Sequence, residues 1–274
     1  MSEKMCLAVL NHRKEIEEMN IDLSEAREMY RELAEAQEEV GGTVAYRIKC
    51  AAAGGKSFDV LTGDDDMDTS VRSFQGIIIH SHKCNALFAQ GDLKSPPICS
   101  SLDGVTGVNA DGEIERCADC PHNEFGSAEK GKGKACKNMR RLYILTASTP
   151  IPFVLSLPPT SIANFQRYRL SSLAGNRLKP HEAITEFSLE QKENADGKPY
   201  SVVKFKLIGK LTGESLATAE FFAKAFKPRM EMSSADYKGS SDAEPSEERL
   251  HRSSPKGMIG SVPAEPLGGE QAYE

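Results

Sequence analysis

The sequence predicts an α+β protein that is mainly β: a small barrel of short strands with a cysteine-bearing insertion, an N-terminal helix and a disordered C-terminal tail. Three observations predict it. Short β-prone runs alternate with glycine- and aspartate-rich turns from Thr43 to Phe88, and strand patterns return after Arg141. Cys99, Cys117, Cys120 and Cys136 lie in the polar, glycine-rich stretch between those halves. Apolar residues recur at helical spacing over 11–40, whereas Ser, Gly, Pro and Glu dominate beyond Pro228.

Taken in order, Ile16, Met19, Leu23, Ala26, Tyr30, Leu33 and Val40 form a helical seam that Gly41-Gly42 ends. Packing of this seam on the protein's own core is preferred over a coiled-coil arm that would make a homodimer. Val44–Ile48 and Phe58–Leu61 read as strands, punctuated by Gly54-Gly55 and Gly63-Asp64-Asp65-Asp66. Gln75–His82, with Ile77-Ile78-Ile79, reads as a buried strand. Arg141–Leu145 and Pro152–Leu157 form a second strand pair, and Pro158-Pro159-Thr160-Ser161 starts a helix that Gly175-Asn176 closes. On that helix Ile162 and Phe165 face inward, and Tyr168 is either core or a ligand contact. Thr185, Phe187 and Leu189 alternate against Val203, Phe205 and Leu207 across an Asn194–Gly197 turn, the pattern of a hairpin. A last helix over 214–226 ends before Pro228. Five or six strands with a helix between strand pairs fit an OB-like small barrel. The divisions are 1–42 for the helical segment, 43–227 for the β domain with its insertion at 95–138, and 228–274 for the tail.

Composition bounds the function. The 274 residues are 39 % hydrophobic and 27 % charged, the balance of a soluble protein. No apolar stretch approaches the roughly 20 residues needed to cross a bilayer, and Met1-Ser2-Glu3-Lys4 does not begin a signal peptide. A cytoplasmic protein with no membrane partner is expected, and in that reducing setting clustered cysteines favour a metal over disulfides. Net charge is −6, which argues against a nucleic-acid binder, although the distribution matters more than the total. Its distribution is uneven: acid gathers in the first 40 residues and near Asp64–Asp68, base gathers around Cys136.

Cys117-Ala118-Asp119-Cys120 is a C-x2-C knuckle, flanked by single cysteines at Cys99 and Cys136. Such a knuckle points two thiolates at one place, and tetrahedral zinc takes four. The segment buries little apolar surface, so a structural zinc clip is expected. His122 is an alternative fourth ligand, and free thiols are the competing reading. Beside the last cysteine, Gly126–Asn138 alternates lysine with glycine. Lys130, Lys132, Lys134 and Lys137 with Arg140 and Arg141 are the candidate phosphate contacts, and Phe125 and Tyr143 the candidate stacking aromatics. Cations that track a backbone, with aromatics that take bases, suit single-stranded nucleic acid. The run lacks the Gly-Lys-Ser/Thr of a phosphate-binding Walker loop, so nucleotide hydrolysis is not expected. His80-Ser81-His82 puts two imidazoles on one side of a strand, with Cys84 in the same parity. No carboxylate cluster adjoins them, so a polar strand face is preferred to a catalytic metal.

The segments Pro97–Gly104, Cys117–Ser127 and Gly131–Asn138, with Leu157–Ser161 and the Asn194–Tyr200 turn, resemble a group of proteins encoded by bacteriophages and integrated mobile elements. The resemblance spans about residues 43 to 227. It implies a zinc-containing, OB-like single-stranded DNA-binding protein of phage replication or recombination, acting in the bacterial host cytoplasm without enzymatic activity. It also implies recruitment of replication or recombination proteins by the tail, although Glu270-Gln271-Ala272-Tyr273-Glu274 is less acidic than the tips such binders often carry. Two other readings compete: a protein-interaction zinc module used in host takeover, and a metal-dependent nuclease centred on His80 and His82.

Overall fold

A computed structural model describes residues 17–19, 45–62, 68–89, 96–129, 132–147, 149–194 and 197–230. Its strands are β1 (Glu17–Met19), β2 (Tyr46–Cys50), β3 (Phe58–Leu61), β4 (Thr69–Val71), β5 (Ser73–Leu87), β6 (Cys99–Ser101), β7 (Thr106–Asn109), β8 (Ile114–Arg116), β9 (Lys137–Thr146), β10 (Thr149–Leu157), β11 (Ala183–Glu193) and β12 (Pro199–Leu211). The α-helices are α1 (Pro159–Arg167), continued by a π-helical segment Tyr168–Leu173, and α2 (Gly213–Met230). Mainly β with helices added, the protein is α+β as the patterning predicts.

The main sheet runs β1-β12-β11-β5-β9-β10-β2-β3-β4, and β6, β7 and β8 branch from the end of β5. It is mixed: β1 with β12 and β10 with β2 are parallel, and the other pairs are antiparallel. The alternating hairpin forms in the register its side chains dictate, with Thr185 opposite Leu207, Phe187 opposite Phe205 and Leu189 opposite Val203.

The expected barrel is not closed by hydrogen bonds among the described residues, because the ladder ends at β1 and β4. Side chains and a turn bring distant parts of the sheet together instead. Ser201 Oγ lies 3.0 Å from the carbonyl of Ala51 and 2.8 Å from that of Gly55. Gly54, at φ +80°, permits this approach: a Cβ there would stand 2.8 Å from Pro199 Cβ. Phe58 packs edge-on to Phe74, which stacks on Phe187 at 4.7 Å, and Phe187 meets Phe205.

Both faces of the sheet are covered. On one, Ile78, Leu142, Ile144, Leu155, Phe187 and Val203 bury against Phe165, Tyr168 and Leu173 of α1 and its π-helical continuation. On the other, Ile77, Ile79, Leu145 and Ile184 bury against Ala219 and Phe222 of α2. α1 also protects a strand edge: Ser161 Oγ accepts the Val203 N–H at 3.0 Å, and Asn164 Nδ2 donates to the Val203 carbonyl at 3.0 Å. Tyr168 belongs to the core, not to a ligand site. Its hydroxyl bonds Thr185 Oγ1 at 2.7 Å, and burial pushes its pKa up to about 12.

Two boundaries differ from the sequence expectations. Glu17–Met19, in the predicted N-terminal helix, is a strand parallel to β12. There the open backbone groups of Gly209–Leu211 offer a ladder that outcompetes a helical seam. The rest of that predicted helix lies outside the described residues, as does the predicted tail from residue 231. α2 continues to Met230, past Pro228. A proline in the last turn removes one N–H donor, a loss the helix absorbs at its end.

Phe187 is fully buried among these rings. Phe187→Ala is expected to lower unfolding free energy by about 3–5 kcal/mol in urea titration, and a loss below about 1 kcal/mol contradicts this packing.

Candidate metal centre and nucleic-acid interface

The cysteine module grows from the far end of β5. Asn85–Leu87 pair with β6, β6 pairs with β7, and β7 pairs with β8. Cys99 opens β6, Cys117 follows β8, Cys120 precedes a short 3-10 turn at Pro121–Asn123, and Cys136 immediately precedes β9. Each therefore stands at an element end, where the backbone can turn its side chain inward. The Cys117 N–H bonds the Val105 carbonyl at 2.8 Å, the Asn123 N–H bonds Cys120 at 2.9 Å, and the Cys136 N–H bonds His122 at 2.9 Å.

All four cysteines line one cavity of about 30 Å³, together with Gly107, His122 and Asn123. Cys117 and Cys136 are buried, Cys99 and Cys120 half-buried. The thiols raise one another's cost of ionisation. Burial, then the neighbouring charges of Cys117 and Cys120, pushes Cys99 up to about 11. Burial, then Cys117, Cys99 and Cys120, pushes Cys136 up to about 12. Four thiolates facing one small space call for a soft cation between them. Gly107 leaves room for the sulfurs: a Cβ there would lie 3.0 Å from Cys99 Sγ and 3.6 Å from Cys117 Sγ. The donor set is of the kind a thiophilic ion takes.

No three of these sulfurs lie within 4.8 Å of one another. Among the described residues, the group whose ligand atoms all lie within 4.8 Å is His181, Glu182 and Glu220. That group is already engaged, since Lys179 meets Glu182 through its ammonium at 3.2 Å and its backbone N–H at 2.9 Å. Zinc–sulfur bonds of about 2.3 Å would require the cysteine turns to close inward.

An amide network that sequence reading missed ties the module to the sheet. Asn123 Nδ2 donates to the Cys117 carbonyl at 2.6 Å, while its Oδ1 accepts from Asn138 at 2.9 Å and from Lys134 at 3.2 Å. Asn138 Nδ2 also lies 2.9 Å from Asn85 Oδ1, and Asn85 donates to Gly104. The signal available was the amide of Asn85 among Cys84, Ala86 and Leu87; Asn138, next to Lys137, carried no such signal. Asp103 closes the neighbouring turn. Burial acts to raise its pKa, but N–H groups of Thr106 and Val105 and the Ser101 hydroxyl outweigh that and hold it below the ordinary value.

The lysine-glycine segment is pinned at its base. The N–H groups of Gly126 and Ala128 both bond the Gly133 carbonyl, and Ser127 Oγ accepts from the Ala135 N–H. Phe125 stands 84 % exposed, with Lys134 Nζ 5.0 Å from its ring centroid. Lys132 is exposed, and Lys130 lies outside the described residues. Phe125, Lys132 and Lys134 therefore gather on the cysteine module.

The expected strand contacts disperse. Lys137 is half-buried at the start of β9. Strand alternation sends Arg140 and Arg141 to opposite faces. Arg140 Nη1 lies 3.2 Å from Ser81 Oγ, whereas Arg141 lies across from His82 in the ladder. Tyr143 is 6 % exposed and its hydroxyl lies 3.2 Å from His82 Nε2, so it offers no open face for stacking. His82 Nδ1 also donates to the Lys83 carbonyl at 2.9 Å. Burial, then the opposing effects of that bond and of Arg141, leaves its pKa lowered, which keeps the ring neutral. Both its nitrogens are committed.

Comparison with family models, curated proteins and solved structures gives no match.

Because Cys99 and Cys136 hold their protons at neutral pH, metal binding must release them, and affinity rises with pH. Chelator competition is expected to show progressively tighter zinc binding from about pH 6 to about pH 8; a flat profile contradicts thiolate ligation. Gly107→Ala is expected to weaken zinc about 10- to 100-fold in the same assay by crowding Cys99, and unchanged affinity contradicts convergence on this cavity.

Proposed function

We propose that this chain is a non-enzymatic binder of single-stranded DNA serving phage or mobile-element replication or recombination. Zinc held by Cys99, Cys117, Cys120 and Cys136 shapes the binding loop and takes no part in chemistry. The observation that carries the reading is Phe125: an 84 % exposed aromatic beside a lysine, on a loop closed at its base. An exposed ring costs solvation unless something covers it, and a nucleobase does so without demanding a particular sequence. Lys132 and Lys134 supply neighbouring charge for the backbone. An OB-like use of the sheet, with the strand laid across one face, belongs to the same proposal.

Exposed Val105 (61 %) and Ile114 (59 %) on the same module favour a second reading, a protein-docking module. It differs in its expected outcome: a stable protein complex and little affinity for DNA.

Fluorescence anisotropy with labelled oligothymidylate decides between them. Affinity for the full chain is expected to fall linearly on a log–log plot against salt, as counterions are released. Phe125→Ala is expected to weaken binding by about 5- to 150-fold with little change in that slope, as loss of one stacked base would. Absent or salt-independent binding contradicts the single-strand reading.

A further inference from the structure

Two guanidinium groups from separate elements stand over one aromatic ring. Arg140 Cζ, from β9, and Arg169 Cζ, from the π-helical segment, each lie 5.9 Å from the centroid of Phe165. Phe165 is fully buried, so the two cations cover it from the solvent side. Arg169 is exposed and Arg140 half-buried. A π-helical turn carries one more residue than an α-turn and is frequent at functional sites. Here it presents Arg169 towards the sheet, next to Leu170, which is 72 % exposed.

Among the described residues the pair has no carboxylate partner. Arg140 bonds the neutral Ser81 hydroxyl. Burial, then the like charge of Arg169, depresses the Arg140 pKa. A third cation joins them: exposed Lys83 is directly opposite Arg140 in the β5–β9 ladder, so the two side chains share a face. Asn138 precedes Arg140 by two residues, about 7 Å along the strand, and hydrogen-bonds Asn123 in the cysteine module. The cationic cluster is therefore continuous with the module that carries Phe125.

We propose that Arg140, Arg169 and Lys83 form a phosphate clamp that holds the backbone of a single nucleic-acid strand where it leaves the Phe125 platform and crosses the α1 face of the sheet. Arginine suits the task because its planar fork meets two phosphate oxygens at once. The clamp rests on the single-strand reading above and extends it to a second contact region, with two residues, Lys83 and Arg169, that sequence reading did not single out.

Arg169 is the residue to change, since it is exposed and Arg140 is partly structural. In the full chain, Arg169→Ala is expected to weaken oligothymidylate binding about tenfold, as for a lost charged hydrogen bond. It should also flatten the log–log salt slope by about 0.7, the share of one phosphate on a single strand. Arg169→Glu should weaken binding further, with far-UV circular dichroism and urea midpoint unchanged for both variants. If the wild-type chain binds and both variants match it in affinity and slope, the clamp is overturned and the single-strand reading stands. If the wild-type chain does not bind, both fall.

Discussion

β5 and β9 pair antiparallel from Ile77–Leu145 at one end to Ala86–Lys137 at the other. This ribbon belongs to both the core and the cysteine module. Its first half lies between α1 and α2, with Ile78, Leu142 and Ile144 on one face and Ile77, Ile79 and Leu145 on the other. Its second half carries Asn85 and Asn138, whose amides hold the Cys117–Cys120 knuckle through Asn123. Strand alternation along it also assigns cations to faces, placing Arg140 with Ser81 and Lys83, and Arg141 with His82.

The two halves are stabilised by different physics. The sheet has a hydrophobic core on each face and an aromatic sequence from Phe58 through Phe74 and Phe187 to Phe205. It therefore has what it needs to fold without a metal. The module has short strands, and Ile98, Val105 and Ile114 remain exposed on it. Backbone bonds and the asparagine amides hold it together. A cation among the four thiols would fix the base of the loop that carries Phe125 and Lys134, lowering the ordering cost when a ligand binds.

Local chemistry was legible in the sequence, and long-range placement was not. The β11–β12 hairpin follows from alternating apolar residues and the Asn194–Gly197 turn, and α1 begins where consecutive prolines place it. The four cysteines that the sequence marks out line one cavity, without meeting at ligand spacing. Glu17–Met19 misled, because its helical seam says nothing of an unfilled edge on β12. The parallel pairing of β10 with β2 joins segments about a hundred residues apart, which local patterning does not encode. Arg140, Arg141 and Tyr143 read as one cationic aromatic strip, yet alternation and burial against His82 divide them. Lys83 and Arg169 gain meaning only once β5, β9 and the π-helical segment meet around Phe165.

A metal held by the four cysteines would shape a binding surface and leave the rest of the fold alone. Chelator-stripped full-length protein, compared with the same sample after zinc is restored, tests it most directly. The stripped protein is expected to keep its β circular dichroism and cooperative unfolding but to lose single-stranded DNA binding, which one equivalent of zinc restores. DNA binding of full strength in metal-free protein would contradict it.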